Sequence, residues 1–543
     1  MSEVTSGTRA DVTAAASERF IARAAAVTAA LTAAGALFGL LRDQTLAHLF
    51  GAGGETDAFL VSWTLPEVAA TLLIEEGMAL VLIPAFSLAL ARRAAAGCPD
   101  PDDPVRALLR ATLPRLALAL AVLAAVLAVS APVLVKVLAP GLTEPRLAID
   151  CMRLTAVTVL TFGLAGYFSA ALRAHRSFIP PAAIYLVYNL GIIATSLTLH
   201  TVWGVRAAAV GVAVGSVLML LVQLPFFLRR LRLRLRLRGR SPWRSGLRRV
   251  GRATPVSGLV GFGVVAPVAL FALSRQSQVL VERFFASSLP AGAISHLNYA
   301  QKVAQVPMVL SLMICTVTFP LVARAMADGQ VDRARRRVER DLVLAGVVVL
   351  LGAAYVVAYA PQIIELLFQR GAFDEQATAA TASVMRVYAL GLLGHSLVGA
   401  LVRPFFSGAR PMWYPLAAMA VGLLITVGAT AAAVPLWGVH GIAAANAVGI
   451  SVTALLLLRG LGTRMIPLDV RRVLTGLGRL VVAAVAALAA GWAMALLLDP
   501  PLLTAALGAL LVPAVFLLAA RAVRVPEAAL LLSTLRGKFC HVR

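Results

Sequence analysis

The sequence predicts an all-α polytopic membrane protein with about 14 transmembrane helices, in two six-helix lobes related by pseudo-two-fold symmetry plus two C-terminal helices. Three observations predict it. Of 543 residues, 60% are apolar and only 14% charged, and the mean hydropathy is +0.88, a balance too apolar for a water-soluble surface. Apolar runs of about 20 residues, each long enough to cross ~30 Å of hydrocarbon, recur from end to end. Arginines collect in alternate connections between those runs, which is the pattern that sets topology.

Taken in order, the runs lie near 22–41, 57–91, 108–139, 148–172, 179–200, 205–228, 253–286, 292–323, 342–368, 379–402, 412–433, 438–458, 474–498 and 500–521. This divides the chain into a tail (1–21), a first lobe (22–228), a basic loop (229–252), a second lobe (253–458), two further helices (459–521) and a second tail (522–543). The basic connections include Arg92, Arg93 and Arg106, then Arg173 and Arg176, the 229–252 run, Arg333 to Arg340, Arg403 and Arg410, and Arg464 with Arg471 and Arg472. The alternate connections hold only Arg42, Lys136, Arg146, Arg206 and Arg370. Assigning the rich set to the cytoplasm puts both termini inside, which requires an even number of spans. No cleavable signal precedes the first run.

The formal net charge is +24, yet the arginines lie in short loops, and no nucleic-acid reading module or stacking pattern accompanies them. Residues 229–252, RRLRLRLRLRGRSPWRSGLRRVGR, are the densest charge run. Two readings apply. The run is a topogenic cytoplasmic loop between the lobes, or it lies on the membrane and gathers anionic lipid headgroups. Its Leu/Arg alternation has period two, so no helix is assigned to it.

Several chemistries lack their residues. There is no P-loop motif, and no H-E-x-x-H or Cys/His cluster for zinc. Cys98, Cys151, Cys315 and Cys540 are scattered. The seven histidines are isolated, and His48, His296 and His440 read as interfacial polar groups. The loops are too short to house a soluble catalytic domain. No enzyme, cofactor or metal is expected, and an embedded transferase is the remotest of the readings weighed.

The informative polar residues lie inside the runs. The second run is broken by Pro66 and Pro84 and carries Asp57, Glu67, Glu75 and Glu76. A carboxylate at the bilayer centre costs at least ~2.5 kcal/mol, so such groups face a bundle interior or a wet cavity. The eighth run also holds a proline, Pro307, and paired proline-interrupted helices in corresponding positions point to a binding site between repeats. Before that run lie Arg275, Gln276, Gln278, Glu282 and Arg283, and within it Ser295, Asn298, Gln301, Lys302 and Gln305. Ser295, Asn298, Lys302 and Gln305 recur at steps of three or four and so share one helical face. That stripe either lines a cavity or satisfies neighbouring helices by interhelical hydrogen bonds. A cation in a cavity suits an anionic phosphate group. Arg42, near a span end, either joins such a cavity or snorkels to the interface. Asp43, Glu282 and Arg283 are candidates for an ion pair or a cavity position. Glu75 and Glu76 point about 100° apart on a helix, and either couple transport to protons or pair with arginines at a helix end.

At these residues the chain resembles the MurJ (MviN) family of lipid II flippases, within the multidrug/oligosaccharidyl-lipid/polysaccharide exporter superfamily. The matching stretches are GLLRD (Gly39–Asp43), LFGAGGETDAF (Leu49–Phe59), Leu65–Pro66, IPAFS (Ile83–Ser87), HRSFIPP (His175–Pro181) with Asn189, VERFFASSLPAGAIS (Val281–Ser295), NYAQKVAQVP (Asn298–Pro307), LLFQRGAFD (Leu366–Asp374) and RPFFS (Arg403–Ser407). They run in family order across nearly the whole chain. The resemblance implies two lobes, two C-terminal helices forming a lipid groove, a central cationic cavity, and alternating access that moves an undecaprenyl-diphosphate-linked peptidoglycan precursor across the bacterial cytoplasmic membrane. It assigns substrate contacts to Arg42, Asp57, Ser295 and Lys302, the last in place of an arginine, and the shared face adds Asn298 and Gln305.

Two departures stand out. Where the family usually has cavity arginines, this chain has Ala36 and, after the Leu-Pro pair, Ala70 and Thr71. They keep two further readings open: an exporter of another lipid-linked glycan or amphiphile, and a transport-inactive scaffold that recruits cell-wall synthesis or division proteins.

Overall fold

The computed structural model describes residues 4–95, 103–231, 262–407 and 412–525, and every regular element among them is helical. In chain order the helices are α1 (Val4–Phe50), α2 (Gly54–Ala70), a π-helical segment (Thr71–Glu76), α3 (Gly77–Ala95), α4 (Pro104–Leu138), α5 (Pro145–Thr155), α6 (Val157–Ala174), α7 (Ile179–Trp203) and α8 (Arg206–Leu231). There follow α9 (Phe262–Ala286), α10 (Ala293–Ala304), α11 (Val306–Ala327), α12 (Val331–Ala358), α13 (Ala360–Phe368), α14 (Glu375–Ala389), α15 (Leu392–Ser407), α16 (Tyr414–Arg464), α17 (Val470–Ala495) and α18 (Pro501–Ala522). The basic loop from residue 232 on, and the tail beyond 525, lie outside the described residues.

Among the described residues, 10 helices are long and apolar enough to cross a membrane, or 11 if the bent pair α14–α15 counts as one span. The protein is therefore a multi-pass membrane protein, but the tally is below the expected 14. Two reasons are local. Gly438 (φ 53°, ψ −127°) breaks α16 into two helices that are counted together. In α9 the polar quartet Arg275–Gln278 interrupts the apolar run.

By internal contacts the chain forms two compact units. The first comprises the chain up to Leu46, Ser62–Leu134 and Arg146–Val265. Here α7 packs on α8, and α6 packs on both α8 and α3. Phe86, Tyr167, Phe168 and Phe227 are buried together, with Phe168 stacked on Phe227 at 4.2 Å and Phe86 edge-on to Tyr167 at 5.5 Å. In a bilayer such packing, more than hydrophobic transfer, holds helices together. Proline at 66 denies the Ser62 carbonyl its helical N–H partner. The hydroxyl of buried Thr155 donates to that carbonyl at 3.4 Å, the neighbourly repair that a proline in a membrane helix needs. The expected break in this run is present, as the π-helical segment that begins five residues after Pro66.

The second unit comprises Ala47–Val61, Val135–Pro145 and the chain from Ala266 on. Its centre is α12, which packs against α11, α14, α15 and α17. The Tyr355 hydroxyl donates to the Ala505 carbonyl at 2.9 Å and ties α12 to α18. The eighth predicted run is two helices, α10 and α11, divided at Gln305. Pro307 falls in the first turn of α11, where its missing N–H leaves no helical bond unmade.

Candidate functional site

Within the first unit, Arg42 on α1 is a buried cation, 8% exposed, and Asp43 beside it a buried acid. The Arg42 guanidinium forms an ion pair with Asp43, through Nη2 at 2.7 Å and Nε at 3.0 Å. Nη1 donates to the Asn189 side-chain oxygen on α7 at 3.0 Å, and the group lies 4.5 Å from the centre of the Trp63 ring. The Trp63 indole N–H donates to the Tyr188 hydroxyl at 3.3 Å, and the Asn189 amide donates to the Gly35 carbonyl at 3.0 Å. Arg42 thus has a carboxylate, an amide and an aromatic face around it and does not snorkel. Ala36 lies six residues before Arg42 on the same helix, next to Gly35. The backbone of Glu75 and Glu76 closes the π segment, and their side chains lie outside the described residues.

Asp57 belongs to the second unit. Its carboxylate, 4% exposed, sits at the N-terminus of α10. The Gly292 N–H donates to Oδ2 and the Ser295 N–H to Oδ1, both at 2.7 Å, and the Ser295 hydroxyl also donates to Oδ1. Opening N–H groups of a helix, with its positive dipole end, are a ready anion site, and here the protein's own acid fills it. Gly292 holds φ +98° to present its N–H, a conformation that glycine adopts without strain.

The stripe on α10 is resolved residue by residue. Ser295 is engaged by Asp57. The Asn298 oxygen accepts from Arg283 Nη2 at 3.0 Å, and Arg283 Nη1 donates to the Ile294 carbonyl at 3.1 Å. Gln305 donates to the Tyr388 hydroxyl at 3.3 Å, as does Gln301 at 2.8 Å. Lys302 is half-buried. Three of the four stripe residues therefore hydrogen-bond within the unit, the second of the two readings the spacing allowed. Glu282 accepts from the Asn446 amide at 2.5 Å, and the Asn446 oxygen bonds His395 at 3.0 Å.

Sequence reasoning missed Trp63, Tyr188, Tyr388, His395 and Asn446. A signal for the last two exists: each is a lone polar residue in an apolar run, which must find a partner in a membrane. The two most specific motif stretches also meet. The Ala372 N–H donates to the His48 carbonyl at 2.9 Å, and a side chain at Gly51 (φ +65°) would lie 2.4 Å from the Ala372 carbonyl oxygen. The glycines of FGAGG and RGAFD thus permit a close backbone approach.

The sequence model of a family described as "Lipid II flippase MurJ" matches residues 46–507. The chain belongs to the MurJ family. The matched residues include Asp57, the α10 stripe and α9, and begin just after Arg42. A lipid II flippase MurJ of Burkholderia cenocepacia is 28% identical over 435 residues, covering 78% of this chain and 81% of the relative. A probable lipid II flippase MurJ of Rhizobium meliloti is also 28% identical, covering 82% of each chain. Among solved structures, a lipid II flippase MurJ in an inward closed conformation superposes with a TM-score of 0.69 at 17% identity, covering 91% of this chain and 97% of that one. An inward-facing MATE-family multidrug transporter superposes at 0.61 with 15% identity, covering 83% and 99%. At those identities the likeness is one of fold.

Proposed function

We propose that the chain is a lipid II flippase: it moves an undecaprenyl-diphosphate-linked peptidoglycan precursor across the bacterial cytoplasmic membrane by alternating access. The family match over residues 46–507 carries this reading. The deeply placed cations of the spans, Arg42 and Arg283, with Lys302, supply charge that suits a diphosphate. The proposed substrate contacts are Arg42 in the first unit and, in the second, Lys302 for the diphosphate with Asp57, Ser295, Asn298 and Gln305. Glu75 and Glu76 couple the cycle to a proton gradient, and replacing both with glutamine leaves binding but removes the response to that gradient. Both termini lie in the cytoplasm and the Gly51–Glu55 turn outside. In intact cells a cysteine at Gly53 is then labelled and one at Gly239 is not.

The deciding experiment is rescue of a strain depleted of its lipid II flippase. Growth with normal cell shape, and lipid II made accessible at the outer face, support the proposal. Good accumulation in the membrane without rescue overturns it. Ala36 and Ala70, where the family usually has arginines, favour a second reading in that case, an exporter of another lipid-linked glycan.

A further inference from the structure

The second unit carries a concentration of cations that none of the above uses. At one end of α12, α17 and α18 lies a cavity of about 510 Å³, within the range that holds small ligands. Arg336, Arg340, Arg472, Arg479 and Arg524 line it, with Glu339 as the acidic member of the lining. That carboxylate is already held, accepting from Arg335 Nε and from the Asp469 N–H, each at 2.9 Å. Among the described residues, Arg336, Arg340, Arg472 and Arg524 form no ion pair. A second cavity, of about 420 Å³, shares Arg336 and Arg340 and extends the basic lining along α11.

Backbone geometry points the same way. Arg524 ends α18 with φ +59°, a left-handed conformation that glycine normally supplies at this position. Its carbonyl accepts from Arg479 Nη1 at 3.3 Å. Two arginines are thereby fixed beside each other despite their like charge. Clustered guanidinium groups that outnumber the carboxylates beside them, here Glu339 and, in the second cavity, Asp328, match the oxygens of a phosphate, which they bind through paired N–H donors. The flanks say which phosphate. On α17, Val481, Val482 and Val485 are exposed, and on α18, Leu507, Leu510 and Leu518, as helices along acyl chains are.

We propose that the cavity walled by α12, α17 and the last turn of α18 binds the phosphate headgroup of an anionic membrane lipid, held by Arg336, Arg340, Arg472, Arg479 and Arg524. The site is distinct from the 229–252 loop and from the proposed substrate residues, and it stands whether or not the chain flips lipid II.

Native mass spectrometry of the full chain in detergent tests it, with phosphatidylglycerol and phosphatidylcholine as probes and inorganic phosphate as competitor. The parent should bind phosphatidylglycerol at least about tenfold more tightly than phosphatidylcholine, the worth of one charge-assisted contact. Arg336→Gln/Arg472→Gln/Arg524→Gln should abolish that preference. Arg110→Gln/Arg115→Gln/Arg153→Gln, which removes equal charge from exposed positions in the first unit, should keep it. Should the pocket triple not fold, Arg472→Gln/Arg524→Gln decides: an affinity within about twofold of the parent overturns the site. Equal losses in the two triples, or no preference in the parent, overturn it as general charge attraction. Displacement by inorganic phosphate as readily as by phosphatidylglycerol overturns the lipid assignment in favour of a soluble anion.

Discussion

The two buried charge clusters are compensated in opposite ways. In the first unit, Arg42 finds its counter-charge in the next residue, Asp43. In the second, Asp57 is held by Gly292 and Ser295, and Glu282 by Asn446 on another helix; neither acid has a cation as its nearest partner. A pair formed within one turn survives wherever that helix goes. A carboxylate satisfied by distant N–H groups exists only when the chain has folded around it. The first cluster is thus a local neutralisation and the second a measure of tertiary structure. Mutations can tell these apart.

The largest effect is expected at Arg42. Arg42→Ala leaves Asp43 buried without its cation, a loss of about 3–5 kcal/mol for a broken buried pair. Because the pair is local, Arg42→Ala/Asp43→Asn should recover most of the loss. Thermal unfolding of the purified protein in detergent reads this. If the double variant is no more stable than the single, Asn189 and Trp63 hold the arginine and the neutralisation is not local.

Next in size is Asp57→Asn. One oxygen acceptor remains, but the charge facing the α10 N-terminus goes, worth about 1.5–3 kcal/mol for hydrogen bonds to a charged group. Ser295→Ala keeps both backbone donors and should cost about 0.5–1.5 kcal/mol. Unfolding temperatures should follow that order. The reverse order would mean that the hydroxyl, and not the helix end, holds the acid.

The same division between local and distant explains what the sequence could reveal. The helical runs, the break near Pro66 and the common face of Ser295, Asn298, Lys302 and Gln305 follow from periodicity and from the missing proline N–H, all properties of a few consecutive residues. So does the proximity of Arg42 and Asp43. The partners of Asp57 and Glu282 were not legible, because they come from residues far along the chain and no spacing rule links those positions. Even the helical face was only half informative. Gln301 is not among the four stripe residues, yet it reaches Tyr388 alongside Gln305, because residues four apart lie on one helical face.

A smaller effect is expected at that helix end. Tyr388→Phe removes the hydroxyl that accepts from both glutamine amides, at a cost of about 0.5–1.5 kcal/mol. Gln301→Ala and Gln305→Ala should each cost less, and in combination with Tyr388→Phe they should add little, since the bond is already gone. Full additivity would show that the glutamines act elsewhere.

Lys302 closes the series with the smallest expected change in stability and the sharpest in function. Its half-buried side chain lies on the same α10 face as Ser295 and Asn298, less deeply buried than Arg42 and Asp57. Lys302→Ala should therefore lower stability by less than about 1 kcal/mol. If it holds the diphosphate, the same substitution should abolish rescue of a flippase-depleted strain while the protein accumulates normally. Lys302→Arg should rescue, since it keeps the charge and adds a fork suited to phosphate. A Lys302→Ala protein that rescues like the parent would place this lysine with the structural charges, and the difference between the two clusters would then be one of packing alone.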